Sequence, residues 1–255
     1  MISKRSSEAC AHKFRPQLVV ALDVDTLDEA KGLVDSLREA VDIFKVGSQL
    51  FTASGPEAVR YILRKGKEVF LDLKFHDIPS TAANAVRAAV GLAVDGKSIF
   101  MCTLHTLGGR KMLECAVEAA SKEARAIGVR RPFLVGVTVL TSEGKKDNIL
   151  PLILERAGLA KESGLDGVVA SSDETAAVRQ EFGRDFIIVT PGIRPKGTAV
   201  GDQKRVATPA QAVTNGSHFL VVGRPIVGVK NPLASARQIL EEIHQAHALV
   251  HCQKN

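Results

Sequence analysis

Aromatic side chains are scarce in this chain: it has no tryptophan, one tyrosine and ten phenylalanines in 255 residues. Proteins that hold single-stranded nucleic acid by stacking bases on exposed rings need more than this, and a core must be built mainly from valine, leucine, isoleucine and alanine. Cysteine is also sparse. Cys10, Cys102, Cys115 and Cys252 form no C-x-x-C pair, so neither a disulfide framework nor a cysteine zinc site is expected. Reduced thiols in a cytoplasmic protein are the plain expectation. No apolar run approaches the ~20 residues that span a bilayer, so no membrane association is expected. Residues 1–15 are polar and lack the apolar stretch of a secretory signal. Nor is there a basic block. The net charge is +6, but lysine and arginine are interleaved with acidic residues, unlike the basic stripe of a nucleic-acid binder. A mild positive bias suits a small anionic substrate.

What the chain does have is rhythm. Eight short apolar runs recur, at 18–22, 43–46, 69–73, 99–103, 133–139, 167–170, 186–189 and 219–222. Each is apolar on both faces, as strands covered on both sides must be. Helix signals lie between them. Thr26 with Glu29, Ser54 with Glu57, Ser171 with Glu174 and Thr208 with Gln211 read as capping boxes. Pro209 and Pro232 take the favoured first helical position. Further helices are expected over 82–94, 109–127, 148–163 and 233–246. Eight strands alternating with eight helices, without a linker, predict an α/β protein with one domain, a (β/α)8 TIM barrel over 16–250. Residues 1–15 read as a flexible tail, and 251–255 as a C-terminal tail. An open doubly wound sheet is the structural alternative.

In such a barrel the chemistry gathers at the C-terminal ends of the strands. The polar residues there are Asp23, Lys45, Asp72, Lys74, His105, Thr141, Arg194 and Arg224. The stretch Asp72-Leu-Lys74-Phe-His-Asp77-Ile78-Pro-Ser-Thr81 is the most informative. Asp72 and Lys74, two apart on a strand, share a face. Three charges of alternating sign around one strand end need pairing if they are buried, and Lys45 next door extends the series to four. Carboxylates on either side favour the ammonium form of Lys74. A Schiff base needs the free amine, so Lys74 reads as a proton donor. After the last run, Gly223-Arg224 offers close backbone approach and a bidentate guanidinium, where barrels commonly hold phosphate. The long polar segment 190–205, with Arg194 and Gln203, reads as a lid near that phosphate end.

The motifs Ala-Leu-Asp23, Phe-Lys45-Val-Gly, Asp72-x-Lys74-x-x-Asp77-Ile78-Pro-x-Thr81, Val-Thr-x-Leu-Thr141-Ser, Thr-Pro-Gly-Ile-Arg194, Gly-Asp-Gln203 and Val-Gly223-Arg224 occur in this order. Together, over roughly 17–239, they closely resemble the orotidine 5′-phosphate decarboxylase family of the bacterial type. The resemblance implies conversion of orotidine 5′-monophosphate to UMP and CO2, the last step of de novo UMP biosynthesis, with no metal and no organic cofactor. It implies that Lys74 protonates C6 and that Asp72 faces the scissile carboxylate. Asp77, accompanied by Ile78 and Thr81, would enter the site from the other subunit of a homodimer. Asp23 and Lys45 would hold the ribose, and Thr141 the pyrimidine. Gln203, Gly223 and Arg224 would hold the phosphate, with Arg194 near the same end.

Two other readings have specific predictions. Sister phosphosugar barrels share Asp-x-Lys-x-x-Asp but use Mg²⁺, with a carboxylate at the end of the second strand; this chain has Lys45 there, a poor neighbour for a metal. A catalytically dead barrel would bind a pyrimidine nucleotide without turnover. His244, His247 and His251, near Cys252, fall at near-helical spacing and read as a solvated helix face rather than a zinc site. His76 and His105 read as packing residues near strand ends.

Overall fold

A computed structural model describes residues 15–140, 149–195 and 206–252. Most of the expected N-terminal tail, residues 253–255, and the site positions Thr141 and Gln203 lie outside the described residues. Eight parallel strands form one sheet: β1 Gln17–Ala21, β2 Ile43–Gly47, β3 Glu68–Phe75, β4 Met101–His105, β5 Phe133–Val137, β6 Gly167–Val169, β7 Ile187–Thr190 and β8 Phe219–Val222. They pair in chain order, and β8 bonds back to β1 from Gln17↔Phe219 to Val20↔Val222. That closure is the TIM barrel and excludes the open sheet. The last strand matches its expected span, and the others differ by one or two residues at their ends.

Ten α-helical segments occur among the described residues, rather than eight: α1 Leu27–Leu37, α2 Ser48–Ser54, α3 Pro56–Arg64, α4 Pro79–Val90, α5 Gly109–Ile127, α6 Ile149–Glu162, α7 Ser172–Phe182, α8 Pro209–Thr214, α9 Arg224–Val227 and α10 Pro232–Cys252. The extra two are α2, sharing the β2–β3 connection with α3, and the four-residue α9. Thr26 and Thr208 make complete capping boxes with Glu29 and Gln211. The box expected at Ser54 is absent. Ser54 ends α2, Gly55 turns the chain at φ +59°, and Pro56 starts α3, so Glu57 is left to pair with Arg64. Ser171 does cap α7, but its hydroxyl bonds the Glu174 carboxylate instead of a backbone N–H. No helix among the described residues is long and apolar enough to cross a membrane.

Alternation along each strand divides the core in two. Phe44, Val46, Leu71, Cys102, Leu134 and Val168 face outward into the layer covered by helices. Val19, Ile43, Phe70, Met101, Val135, Val189 and Phe219 fill the barrel interior. Four phenylalanines, Phe70, Phe100, Phe133 and Phe219, join the aliphatic residues of this interior. Phe70 and Phe219 are almost fully buried inside. Phe100 packs edge-on against Phe133 and Phe219, and the Arg130 guanidinium lies over the Phe133 ring at 4.8 Å. These rings plug the N-terminal end of the barrel interior.

Gly167 in β6 marks the tightest backbone approach in the sheet. A Cβ there would fall 2.1 Å from the Ile187 carbonyl oxygen of β7, which cannot move without breaking the ladder. Gly32 in α1 has open space around it. Gly167→Ala is expected to destabilise the fold by ~3 kcal/mol or more, at the upper end of overpacking costs. Gly32→Ala should stabilise by ~0.5–1 kcal/mol through helix propensity. Urea unfolding of the two variants beside the parent checks both signs.

Candidate active site

The same alternation that builds the interior sets the polar groups above it. Val19 and Ala21 point inward on β1, and Asp23 follows two residues on. Ile43 is followed by Lys45, Phe70 by Asp72, Met101 by Thr103, and Val221 by Gly223. The first four strands thus end their apolar inner rows with a polar group, and β8 ends its own with a glycine. Asp23, Lys45, Asp72 and Gly223 line a cavity of about 490 Å³ whose floor is Phe70, Val137, Val169, Val189 and Val221. That volume is in the range of small-molecule sites.

Asp23, Lys45, Asp72 and Lys74 form a continuous row. The Lys45 ammonium donates to Asp23 Oδ1 at 3.0 Å and lies 3.6 Å from Asp72 Oδ2. Lys74 donates to the same Asp72 Oδ2 at 3.0 Å. The Asp72 side chain is 14% exposed and that of Lys45 10%, whereas Lys74 is 39% exposed and reaches into the cavity. Burial is the strongest single influence on Asp72 and pushes its carboxyl up. The nearby ammoniums of Lys45 and Lys74, with hydrogen bonds from Lys74 and Thr103, together outweigh it. The net effect holds Asp72 below the usual carboxylate range, charged at neutral pH. Gly47 leaves room for this row: a Cβ there would sit 2.9 Å from Lys45 Nζ.

Lys74 has a conformation that sequence reading missed. Its φ is +51°, in the left-handed region, which costs a non-glycine residue about 1–2 kcal/mol. The cause is a bulge in β3. The ladder to β4 runs through Phe70↔Met101 and Leu71↔Cys102, then resumes only at Phe75↔Leu104. Strain held at a functional position needs support from its surroundings. Here the Lys74 N–H donates to Thr103 Oγ1 at 2.8 Å, and that hydroxyl donates to Asp72 Oδ1 at 3.0 Å. Thr103 is fully buried.

From β7 and β8 come Gly192, Arg194, Gly223 and Arg224, all lining the same cavity. Arg194 is buried and Arg224 exposed. The two groups of residues meet at the seam of the barrel, where a Cβ on Gly223 would lie 3.5 Å from Asp23 Oδ2.

The expected +, −, +, − chain therefore gains Asp23 and lacks Asp77. Asp77 is exposed on the β3–α4 connection, where its Oδ1 accepts from the Ile78 N–H at 2.6 Å. Ile78 is 65% exposed and Thr81 is exposed. None of the three lines the cavity of its own chain. His105 also stays out of it. Its ring accepts from the Leu107 N–H and stacks on His76 with centroids 5.4 Å apart. Gln49 is a lining residue that sequence reading passed over. It stands at the start of α2 and donates to Asp25 at 2.6 Å. Thr103 ends the apolar run 99–103 and is not among the strand-end polar residues singled out from the sequence; its inward parity with Met101 is the signal that could have found it.

The model of the family described as Orotidine 5'-phosphate decarboxylase / HUMPS family matches residues 16–239. Orotidine 5'-phosphate decarboxylase of Moorella thermoacetica is 46% identical over 238 residues, covering 90% of this chain and 92% of that protein. The enzyme of the same name from Halorhodospira halophila is 47% identical over 239 residues, covering 91% and 97%. Among solved structures, orotidine 5'-phosphate decarboxylase from Lactobacillus acidophilus superposes with a TM-score of 0.76 at 36% identity, covering 90% of this chain and 99% of that one. With a closed barrel, a charged row at its C-terminal mouth and matches of this extent, the chain belongs to the orotidine 5′-phosphate decarboxylase / HUMPS family.

Proposed function

We propose that this chain decarboxylates orotidine 5′-monophosphate to UMP and CO2, with the substrate's C6 lying over Lys74 and its phosphate beside Arg224. The observation that carries this reading is the row Asp23, Lys45, Asp72, Lys74 above an apolar floor. The names of the relatives support it. Within the family, the row also favours a decarboxylase over a magnesium-dependent phosphosugar enzyme. Lys45 sits between two carboxylates and satisfies them with an ammonium where a divalent cation would otherwise be drawn.

In the reaction the C6–carboxylate bond breaks, CO2 leaves, and its electron pair remains on C6 in the ring plane, out of reach of π delocalisation. A fixed cation beside that point stabilises the developing charge. Lys74 supplies the cation and then its proton, which forms the new C6–H bond; solvent reprotonates the amine. Asp72 orients the ammonium and lies where the departing carboxylate would be. Asp23 and Lys45 hold the ribose hydroxyls. Gly223 allows close approach of the phosphate, and Arg224 and Arg194 offset its charge. Thr141 and Gln203 take the pyrimidine and phosphate contacts. Binding energy from the phosphate, far from C6, then serves the chemical step.

Asp77, Ile78 and Thr81 act across a twofold homodimer. Their exposure outside their own cavity supports this assignment, and a C2 pair makes the exchange reciprocal.

EDTA-treated protein is expected to consume orotidylate, followed by its loss of ultraviolet absorbance, at the rate of untreated protein. Activity abolished by EDTA and restored by Mg²⁺ would overturn the metal-free mechanism. Lys74→Ala should lower kcat by more than about a thousandfold while UMP still binds, because the lost interaction belongs to the transition state.

The shared site has its own test. Lys74→Ala and Asp77→Asn, each nearly inactive, are co-folded. Random mixing gives about half heterodimers, in which one site carries both lesions and the other none. About a quarter of wild-type activity should return. No recovery, with heterodimers confirmed by mass spectrometry, assigns Asp77 to its own chain's site.

A further inference from the structure

We propose that Thr103 is a positioning residue for decarboxylation: its hydroxyl clamps the β3 bulge so that the Lys74 ammonium and the Asp72 carboxylate stay in register above the cavity. The inference rests on the functional reading above and adds to it a residue that does not line the cavity.

The bulge supplies the reason. Between the paired positions Leu71↔Cys102 and Phe75↔Leu104, three residues of β3 (Asp72, Leu73 and Lys74) face the single residue Thr103 of β4. A ladder with that mismatch leaves backbone groups without strand partners. The Lys74 N–H is one of them, and the Thr103 hydroxyl takes it at 2.8 Å. The same oxygen's one hydrogen goes to Asp72 Oδ1 at 3.0 Å. The other carboxylate oxygen, Oδ2, receives the Lys74 ammonium at 3.0 Å. One hydroxyl thus touches the backbone of the proton donor and the side chain of its partner, and closes a ring of three hydrogen bonds: Lys74 N–H to Thr103, Thr103 to Asp72, and Lys74 Nζ to Asp72.

The ring has two consequences. A hydroxyl has one hydrogen to donate, and that of Thr103 is spent on Asp72, so Thr103 acts through its neighbours rather than on the substrate. It also pins the rotation of the Asp72 carboxylate, leaving Oδ2 where the two ammoniums converge. Lys74 sits in a left-handed conformation that relaxes if its N–H loses this partner. A displacement of about 1 Å at a reacting group costs on the order of a hundredfold in rate.

The discriminating variant is Thr103→Val, which keeps the shape and removes both hydrogen bonds. Thr103→Ser restores them. Each is purified as the full chain, and folded sites are counted by UMP titration. Thr103→Val is expected to lose on the order of a hundredfold in kcat, with KM and UMP affinity within about threefold of the parent. Its acid limb of kcat/KM should move to higher pH, because a hydrogen bond to the charged form of Asp72 is gone. Thr103→Ser should return to within a few-fold of the parent in both respects. If Thr103→Val does not fold, Thr103→Ala against Thr103→Ser makes the same comparison.

The proposal is overturned if Thr103→Val keeps kcat within threefold of the parent. It is equally overturned if activity falls only in proportion to the folded sites, with the pH profile unmoved, or if Thr103→Ser is as impaired as Thr103→Val. A parent protein that does not turn over orotidylate overturns both this proposal and the functional reading. An active parent with an equally active Thr103→Val overturns this one alone.

Discussion

The site depends on one buried carboxylate. Asp72 lies low in the mouth of a closed barrel, where burial pushes its carboxyl up. Two ammoniums and one hydroxyl reverse that balance. A carboxylate so placed cannot be supported by a single partner, because breaking a buried pair leaves an uncompensated charge that costs ~3–5 kcal/mol. Lys45 comes from β2, Lys74 from within the bulge of β3, and Thr103 from β4. Three adjacent strands must therefore be in register before Asp72 can be charged, and the closed sheet fixes that register.

The barrel supplies this at little cost in local design. β1 to β4 need only to end their inward-facing rows with a polar residue instead of an apolar one. The phenylalanine plug at the N-terminal end then excludes water from below, and the apolar floor lowers the dielectric around the row. Fixed charges in such a place stabilise developing charge more than they would in water, and need not reorganise during reaction. Fold and chemistry share the period of two: the parity that puts Phe70 in the core puts Asp72 over it.

That parity explains which parts were legible in the sequence. The eight apolar runs, Asp72 and Lys74 on one face, and Gly223-Arg224 after the last strand follow from local patterns, and the structure brings these side chains to one cavity. Lys45 and Asp23 also converge, though their mutual contact depends on β1–β2 register rather than on anything local. The bulge was not legible. Leu71-Asp-Leu-Lys-Phe75 reads as an ordinary alternating strand, and no glycine marks the left-handed position that Lys74 occupies. Thr103 was hidden for the same reason: threonine is common in strands, and only the bulge gives it a task. Ser54 misled in the opposite direction. A capping pattern was present, but Gly55-Pro56 supplied a stronger turn one residue later.

The proposed shared site has an electrostatic rationale in the row. Within one chain the row holds two carboxylates and two ammoniums, which cancel. At its end over the cavity stands Lys74, with the more exposed side chain of the two lysines and Asp72 on one side. A substrate carboxylate arriving there would find an attractive ammonium and bind comfortably in its ground state, which does nothing for the rate. A further carboxylate on the open side of Lys74 changes that. It would compete for the ammonium, discourage a simple ion pair with the substrate, and leave Lys74 best satisfied when negative charge has moved from the carboxylate to C6. Asp77 has the right chemistry, follows Lys74 by three residues, and is turned away from its own cavity beside an exposed isoleucine. In the proposed homodimer, C2 symmetry would bring that carboxylate onto the partner's lysine while keeping both on the same short stretch of chain.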